Sequence, residues 1–270
     1  MATIPMETEN QHEFPDQVTV LIPHFQTLEA IRLCLRSIRY YTPQCLKVRV
    51  LDNGSKDDSI DYLRSVKWIE LVPTGIPNDT WTAHFQALNR AVADVQTPFF
   101  LIMHSDTFVC NHRWLDFLMD RLNARGYAAV GSRSQCVIRC RFKWLRQMFT
   151  PMRRRELKPG VPRLRSLCAL YRTKVFRQLG CRFFCYETNR EDITYLSNEM
   201  LVRAGHQILA MPGIVLSPYI FHAGDTTRIL NRTFDKKTKK HAHSLKVFFS
   251  LPSTYRILAD DRLDQPYVFG

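Results

Sequence analysis

The chain has 270 residues, of which 45% are hydrophobic and 11% aromatic, so it is long enough to bury one sizeable core. No apolar run approaches the ~20 residues of a membrane span. The first seventeen residues lack the basic start and the apolar centre of a signal peptide. We therefore expect a cytoplasmic protein. The formal net charge of +13 is concentrated in two segments: residues 139–165 contain ten Lys/Arg against one acid, and residues 228–246 contain seven against one.

Apolar runs alternate with helical periodicity through the first 130 residues. We predict strands at residues 18–22, 48–51, 68–72, 99–103 and 127–130. We predict helices at residues 28–40, 55–65, 79–95 and 111–123. This alternation indicates βαβ units and therefore an α/β fold with a mostly parallel central sheet flanked by helices.

The second half of the chain is less regular. Residues 132–165 lack periodicity and contain three prolines, which predicts a basic excursion from the sheet. We predict further strands at residues 167–171, 208–211 and 214–215, and helices at residues 173–179 and 193–203. The predicted organisation is a polar N-terminal segment (1–16), one α/β domain (17–228) and a basic, aromatic C-terminal extension (229–270).

Polar residues follow the predicted strands at their carboxyl ends, where open α/β sheets bind ligands. They are His24, Asp52, Asn53, His104 and Asp106. No Gly-x-Gly-x-x-Gly follows the first strand, and no Gly-x-x-x-x-Gly-Lys-Ser/Thr occurs anywhere. The sequence therefore disfavours a dinucleotide-dependent dehydrogenase and a P-loop nucleotidase.

Four local patterns together resemble the inverting, family-2 type glycosyltransferases of GT-A fold. They are Val18-Thr19-Val20-Leu21-Ile22-Pro23-His24-Phe25, Val50-Leu51-Asp52-Asn53-Gly54-Ser55-Lys56-Asp57, Leu101-Ile102-Met103-His104-Ser105-Asp106, and the late elements Glu191-Asp192, Gly205 and Phe221-His222-Ala223-Gly224. The resemblance covers roughly residues 17–228 and implies a GT-A-like fold. It also implies an enzyme that transfers sugar from a nucleotide-sugar donor.

The resemblance implies a role for each matched residue. The residues expected to contact the nucleotide-sugar are Pro23, His24, Phe25, Asp52, Asn53, Gly54, Asn89, His104 and Ser105. Asp106 and His222 would bind a divalent cation, Mn²⁺ or Mg²⁺, which bridges the donor diphosphate. Asp192 would be the general base, with Glu191 in support. The structural alternatives are an Asx turn for Asp52 and helix capping for Asp106 and Asp192.

Two positions depart from the family pattern. His104 replaces the first carboxylate of Asp-x-Asp, which removes one negative charge from the expected metal site. Ala87-Leu88-Asn89 lacks the arginine that the family often has in this segment, so one expected nucleotide or phosphate contact is missing.

The function expected from the resemblance is metal-dependent, inverting transfer from a UDP-sugar to a hydroxyl acceptor. The two basic segments suit a phosphate-bearing or lipid-linked acceptor, or peripheral contact with an anionic membrane; a solvated charged face explains them equally well. The alternatives are a catalytically impaired nucleotide-sugar binding protein and, less favoured, a nucleic-acid binder. No nucleic-acid binding module is recognisable, so nucleic acid is not the expected partner.

Overall fold

The computed structural model describes residues 14–76, 82–134, 161–184, 193–224, 226, 245–246 and 248–267. Its strands are β1 (Val18–His24), β2 (Lys47–Asp52), β3 (Glu70–Pro73), β4 (Phe99–Met103), β5 (Thr107–Val109), β6 (Ala129–Ser132), β7 (Cys168–Arg172), β8 (Ile208–Met211) and β9 (Ile220–His222). Its helices of at least one α-turn are α1 (Leu28–Tyr41), α2 (Ser59–Ser65), α3 (Thr82–Asp94), α4 (Trp114–Ala124), α5 (Thr173–Gln178), α6 (Tyr195–Arg203), α7 (Gly213–Leu216) and α8 (Pro252–Ala259). Among the described residues, short 3-10 helices lie at Pro15–Gln17 and Asp261–Asp264.

Seven strands form the central sheet in the order β3-β2-β1-β4-β7-β6-β8. The first four are mutually parallel, β7 runs antiparallel to both of its neighbours, and β6 and β8 are parallel. The predicted α/β fold with a mostly parallel sheet is confirmed. A separate two-stranded ribbon pairs β5 with β9 in antiparallel orientation.

Both faces of the central sheet are covered by apolar side chains. Leu101 and Met103 of β4 contribute to one core cluster, and Phe100 and Ile102 contribute to the other. Since alternate residues of a strand point to opposite faces, a strand buried on both sides has a continuous apolar sequence. This burial explains why all five residues of β4 are apolar.

Some local predictions differ from the structure. The strand predicted at residues 214–215 is wrong: these residues belong to α7. Ile and Val favour strands locally, but Val215 N–H donates to Pro212 O at 2.9 Å and Ser217 N–H donates to Gly213 O at 2.8 Å, which closes a helical turn. The turn buries Leu216 in the core, so tertiary packing overrides the β-propensity.

Helix α2 begins at Ser59, four residues later than predicted. The delay has a local cause, because the Asp52 carboxylate accepts from the backbone N–H groups of Gly54 and Ser55 and fixes a turn there. Helix α4 likewise begins at Trp114 rather than at residue 111.

The described part of the predicted C-terminal extension packs on the central domain. Arg36 of α1 forms a buried ion pair with Asp264, and Tyr62 donates to the same carboxylate at 2.9 Å. Trp68 Nε1–H donates to Leu263 O at 2.8 Å. The predicted domain boundaries stay predictions. Within the described ranges, no helix has both the length and the apolar character needed to cross a bilayer.

Candidate functional site

The carboxyl ends of β1 and β2 bring His24 and Asp52 together, since these two residues are partners in the parallel register. Asn53 N–H donates to His24 O at 3.0 Å, and Asn53 Oδ1 accepts from the Thr74 hydroxyl at 2.9 Å. The Asp52 carboxylate accepts from Gly54 N–H at 3.1 Å, and Gly54 has the left-handed φ of +79°. Asp52 therefore makes the Asx turn, and its contact with a nucleotide stays a prediction.

His24 is buried behind this turn. Its Nε2 lies 2.9 Å from the Ser59 hydroxyl, which in turn donates to Asp57. Burial lowers the pKa of His24 to about 4, although the carboxylates of Asp52 and Asp57 oppose the shift. His24 is therefore neutral near pH 7. Its buried Nδ1 has no hydrogen-bond partner among the described residues.

The segment that follows β1 has an unusual backbone. Pro23 is buried and Phe25 is half-buried at the end of the strand. Gln26 and Thr27 then adopt φ values of 56° and 69°, the left-handed region that non-glycine residues rarely occupy. The Ser55 hydroxyl accepts from Gln26 N–H at 2.7 Å, so the turns after β1 and β2 are joined. Backbone strain of this kind concentrates at functional sites.

The end of β4 meets the β5–β9 ribbon at Asp106. Thr107 and His222 are partners in the ribbon, and Ala223 N–H donates to Asp106 O at 3.0 Å. This pairing brings His222 Nε2 to 3.2 Å from Asp106 Oδ1, although the two residues are far apart in the sequence. The structure thus brings together the two residues predicted to bind the cation.

His104 joins the same cluster. Its Nδ1 lies 3.9 Å from Asp106 Oδ1, and its Nε2 lies 2.9 Å from the Ser166 hydroxyl. One candidate ligand atom from each of His104, Asp106 and His222 lies within 4.8 Å of the other two. Ser105 occupies the turn between the first two and is half-buried.

The surroundings of Asp106 favour its charged form. Burial alone would raise the pKa of this carboxyl, but the imidazoles of His222 and His104 and the Thr226 hydroxyl, which donates at 2.8 Å, outweigh it and lower the pKa. Burial also lowers the pKa of His104, and the nearby imidazoles of His84 and His222 add to the effect. The cluster therefore consists of an ionised carboxylate beside a neutral His104.

His84 is a neighbour that the sequence analysis missed. Its ring lies 5.3 Å from the His104 ring in an edge-to-face arrangement, and burial lowers the pKa of His84 to about 4. His84 lies in the first turn of α3, next to the apolar stripe that begins at Phe85. Ser166 was also missed. No local pattern distinguishes either residue from an ordinary polar side chain.

A divalent cation fits the donors present. His222 is buried, and its Nε2 approaches Asp106 Oδ1 to 3.2 Å, but neither ring nitrogen makes a regular hydrogen bond among the described residues. Imidazole and carboxylate together are ligands suited to divalent ions such as Mn²⁺. A bound cation would supply Lewis-acid stabilisation of negative charge at this edge of the sheet.

The remaining predicted residues lie elsewhere. The Asn89 side-chain amide donates to Phe183 O at 2.9 Å, and its Oδ1 accepts from Phe183 N–H at 2.8 Å. Asn89 thus ties α3 to the chain after α5, and its contact with a nucleotide stays a prediction. Glu191 and Asp192 lie outside the described residues.

Comparison with known proteins identifies the family. The family model described as "Glycosyl transferase family 2" matches residues 19–180. The chain therefore belongs to glycosyl transferase family 2. It is also 24% identical over 116 residues to a teichoic acid poly(glycerol phosphate) polymerase of Staphylococcus epidermidis, a match that covers 40% of this chain and 15% of that protein.

Three solved structures, of two proteins, have a similar fold. A mannosyltransferase from Pyrobaculum calidifontis, solved with GDP-Man and Mn²⁺, is 17% identical with a TM-score of 0.52, and the match covers 74% of this chain and 56% of that one. S. aureus TarS is 15% identical with a TM-score of 0.55, and the match covers 88% of this chain and 44% of that one. The structure of TarS residues 1–349 with UDP-GlcNAc is 14% identical in sequence with a TM-score of 0.53, and the match covers 76% of this chain and 58% of that one. The chain thus spans about half the length of these structures.

Proposed function

We propose that the chain is a metal-dependent, inverting glycosyltransferase that moves a sugar from a UDP-sugar to a hydroxyl acceptor. The observation that supports this proposal most is the Asp106–His222 pair, 3.2 Å apart at the end of β4, in a chain of glycosyl transferase family 2. An Mn²⁺ or Mg²⁺ ion held by this pair would offset the charge that develops on the leaving diphosphate.

The nucleotide would lie along the neighbouring strand ends. Strand β1 pairs with both β2 and β4, so the ends that carry His24, Asp52 and Asp106 share one edge of the sheet. The Asp52 carboxylate, already oriented by its turn, would accept from the base or the ribose, and Ser105 would approach the ribose. Related folds solved with UDP-GlcNAc and with GDP-Man and Mn²⁺ support a nucleotide-sugar donor.

Asp192 would act as the general base. Inversion requires a carboxylate on the acceptor side, which takes the hydroxyl proton as the oxygen bonds to the anomeric carbon and the bond to the diphosphate breaks. Glu191 would orient the acceptor. We expect Asp192→Asn to reduce transfer at least about 100-fold while UDP affinity stays within twofold, because the amide keeps the shape and loses the basicity.

The basic segments suggest the acceptor. Residues 139–165 and 228–246 suit a phosphate-bearing or lipid-linked hydroxyl acceptor, and the similarity to a teichoic acid poly(glycerol phosphate) polymerase is consistent with one. The same charge would hold a cytoplasmic enzyme against an anionic membrane. Equal binding to neutral and anionic vesicles would exclude the membrane contact.

A screen of nucleotide-sugars for metal-dependent hydrolysis tests the proposal. We expect turnover of a UDP-sugar with Mn²⁺ that is lost in Asp106→Ala and on chelation of the metal. UDP binding without turnover of any sugar, and with no acceptor consumed, would instead favour a nucleotide-sugar binding protein. A response to no nucleotide at all would refute both.

A further inference from the structure

The cluster at the end of β4 combines two imidazoles with one carboxylate, whereas the Asp-x-Asp pattern of the family has two carboxylates in the segment where this chain has His104 and Asp106. We propose that His104 is a third metal ligand, and that this site therefore selects Mn²⁺ and later transition-metal ions over Mg²⁺. The inference rests on the proposed cation site and assigns His104 to the cation rather than to the ribose.

The orientation of His104 supports ligation through Nδ1. The Ser166 hydroxyl holds Nε2 at 2.9 Å, and this leaves Nδ1 on the side of Asp106, 3.9 Å from Oδ1. A histidine that binds a metal through one nitrogen commonly donates from the other to a nearby oxygen. Ser166 provides that oxygen and would fix both the tautomer and the direction of the ring.

The surroundings of His222 also favour a metal ion between the three side chains. It is only 5% exposed, and neither ring nitrogen has a hydrogen-bond partner among the described residues, which is costly unless a ligand takes one of them. Ligands ~2.1 Å from one octahedral ion lie about 3 Å apart when adjacent and about 4 Å apart when opposite. The 3.2 Å and 3.9 Å separations from Asp106 Oδ1 fall in this range.

The identity of the donors determines the metal preference. Mg²⁺ requires oxygen ligands and retains its waters, so exchanging a carboxylate for an imidazole weakens its site. Transition-metal ions bind imidazole well, with affinity rising from Mn²⁺ to Co²⁺. With two nitrogens and one oxygen, the cluster of His104, Asp106 and His222 should bind Co²⁺ most tightly, then Mn²⁺, then Mg²⁺.

Calorimetric titration of the full chain with each of these three chloride salts, with and without UDP, tests the inference. For the unmodified protein we expect Mn²⁺ to bind at least about tenfold more tightly than Mg²⁺. His104→Asp restores the carboxylate pair and should reduce that ratio about tenfold or more. His112→Asp is the matched control, since it makes the same exchange at an exposed position and should leave the ratio unchanged.

Pulsed EPR of bound Mn²⁺ separates ligation from a general charge effect. We expect nitrogen couplings from two imidazoles, with one lost in His104→Asp and in His104→Ala. Equal Mn²⁺ and Mg²⁺ affinity in the unmodified protein, or an unchanged EPR signal in both variants, would overturn the inference. If the metal order holds but UDP does not bind, the nucleotide function fails and the metal assignment stands.

Discussion

The ion pair between Arg36 and Asp264 should be a main anchor of the C-terminal residues. The Arg36 Nε donates to Asp264 Oδ1 at 3.1 Å and Nη2 donates to Oδ2 at 2.5 Å, while Tyr62 O–H donates to Oδ1 at 2.9 Å. Arg36 also donates to Leu258 O. Because only 8% of the Arg36 side chain and 12% of the Asp264 side chain are exposed, water cannot replace a missing partner.

Asp264→Ala should lower the free energy of unfolding by about 4 kcal/mol, because removing one member of a buried pair leaves the other charge buried without its counter-charge. For a chain of this size, the melting temperature would fall by about 10 °C. Asp264→Asn keeps one oxygen acceptor and should lower the free energy of unfolding by less than Asp264→Ala does. Replacing both residues with apolar ones, Arg36→Met with Asp264→Leu, should cost less than Asp264→Ala alone, since no charge is left unpaired.

Chemical denaturation followed by circular dichroism measures these differences, and near-native far-ultraviolet spectra would show that the variants fold. The matched control is Asp61→Ala, which removes an exposed pair with Arg64 and should cost less than about 1 kcal/mol. A cost for Asp264→Ala as small as that of the control would refute the argument. So would a double variant that is less stable than Asp264→Ala.

Two further predictions concern the sheet. The pKa of His24 is 6.5 in the unfolded chain and about 4 in the folded one, so the free energy of unfolding should fall by about 3 kcal/mol as the pH drops from about 7 to about 4. Measuring the free energy of unfolding against pH for the unmodified chain and for His24→Gln isolates the contribution of this histidine. The same pH dependence in both proteins would contradict the prediction. Gly131→Ala should cost about 2 kcal/mol or more in chemical denaturation, because a Cβ there would lie 2.3 Å from Cys168 O of β7. Gly126→Ala is the control: a Cβ there meets no atom within 4 Å, so only the backbone strain at φ +64° should lower the free energy of unfolding, by about 1 kcal/mol. A loss for Gly131→Ala no larger than that for Gly126→Ala would contradict the argument from the close contact.

The order of the first elements was predictable because each has a strong local signal. Strand β4 is a run of five apolar residues, and α1 has its apolar residues at helical spacing. Strand β5 has only three residues, and its partner β9 lies more than a hundred positions later. No local window contains that pairing, so the ribbon that joins Asp106 to His222 could be expected only through the family resemblance.

The surroundings of the site were less predictable for the same reason. Ser166 reaches His104 because β7 runs beside β4, and His84 reaches it because α3 packs over the sheet. Each residue looks like an ordinary polar residue in its own segment. Arg36 and Asp264 likewise look like surface charges, and only the folded chain shows that they are buried together.

The central claim is that Asp106 and His222 hold a cation that binds the diphosphate of a nucleotide-sugar. The most direct test is the affinity of UDP measured calorimetrically with and without Mn²⁺, in the unmodified chain and in Asp106→Asn. We expect Mn²⁺ to tighten UDP binding at least about tenfold in the unmodified chain and to have no effect in the variant, because the neutral amide lacks the negative charge that attracts the cation. UDP affinity that does not respond to Mn²⁺, or an equal response in Asp106→Asn, would contradict the claim.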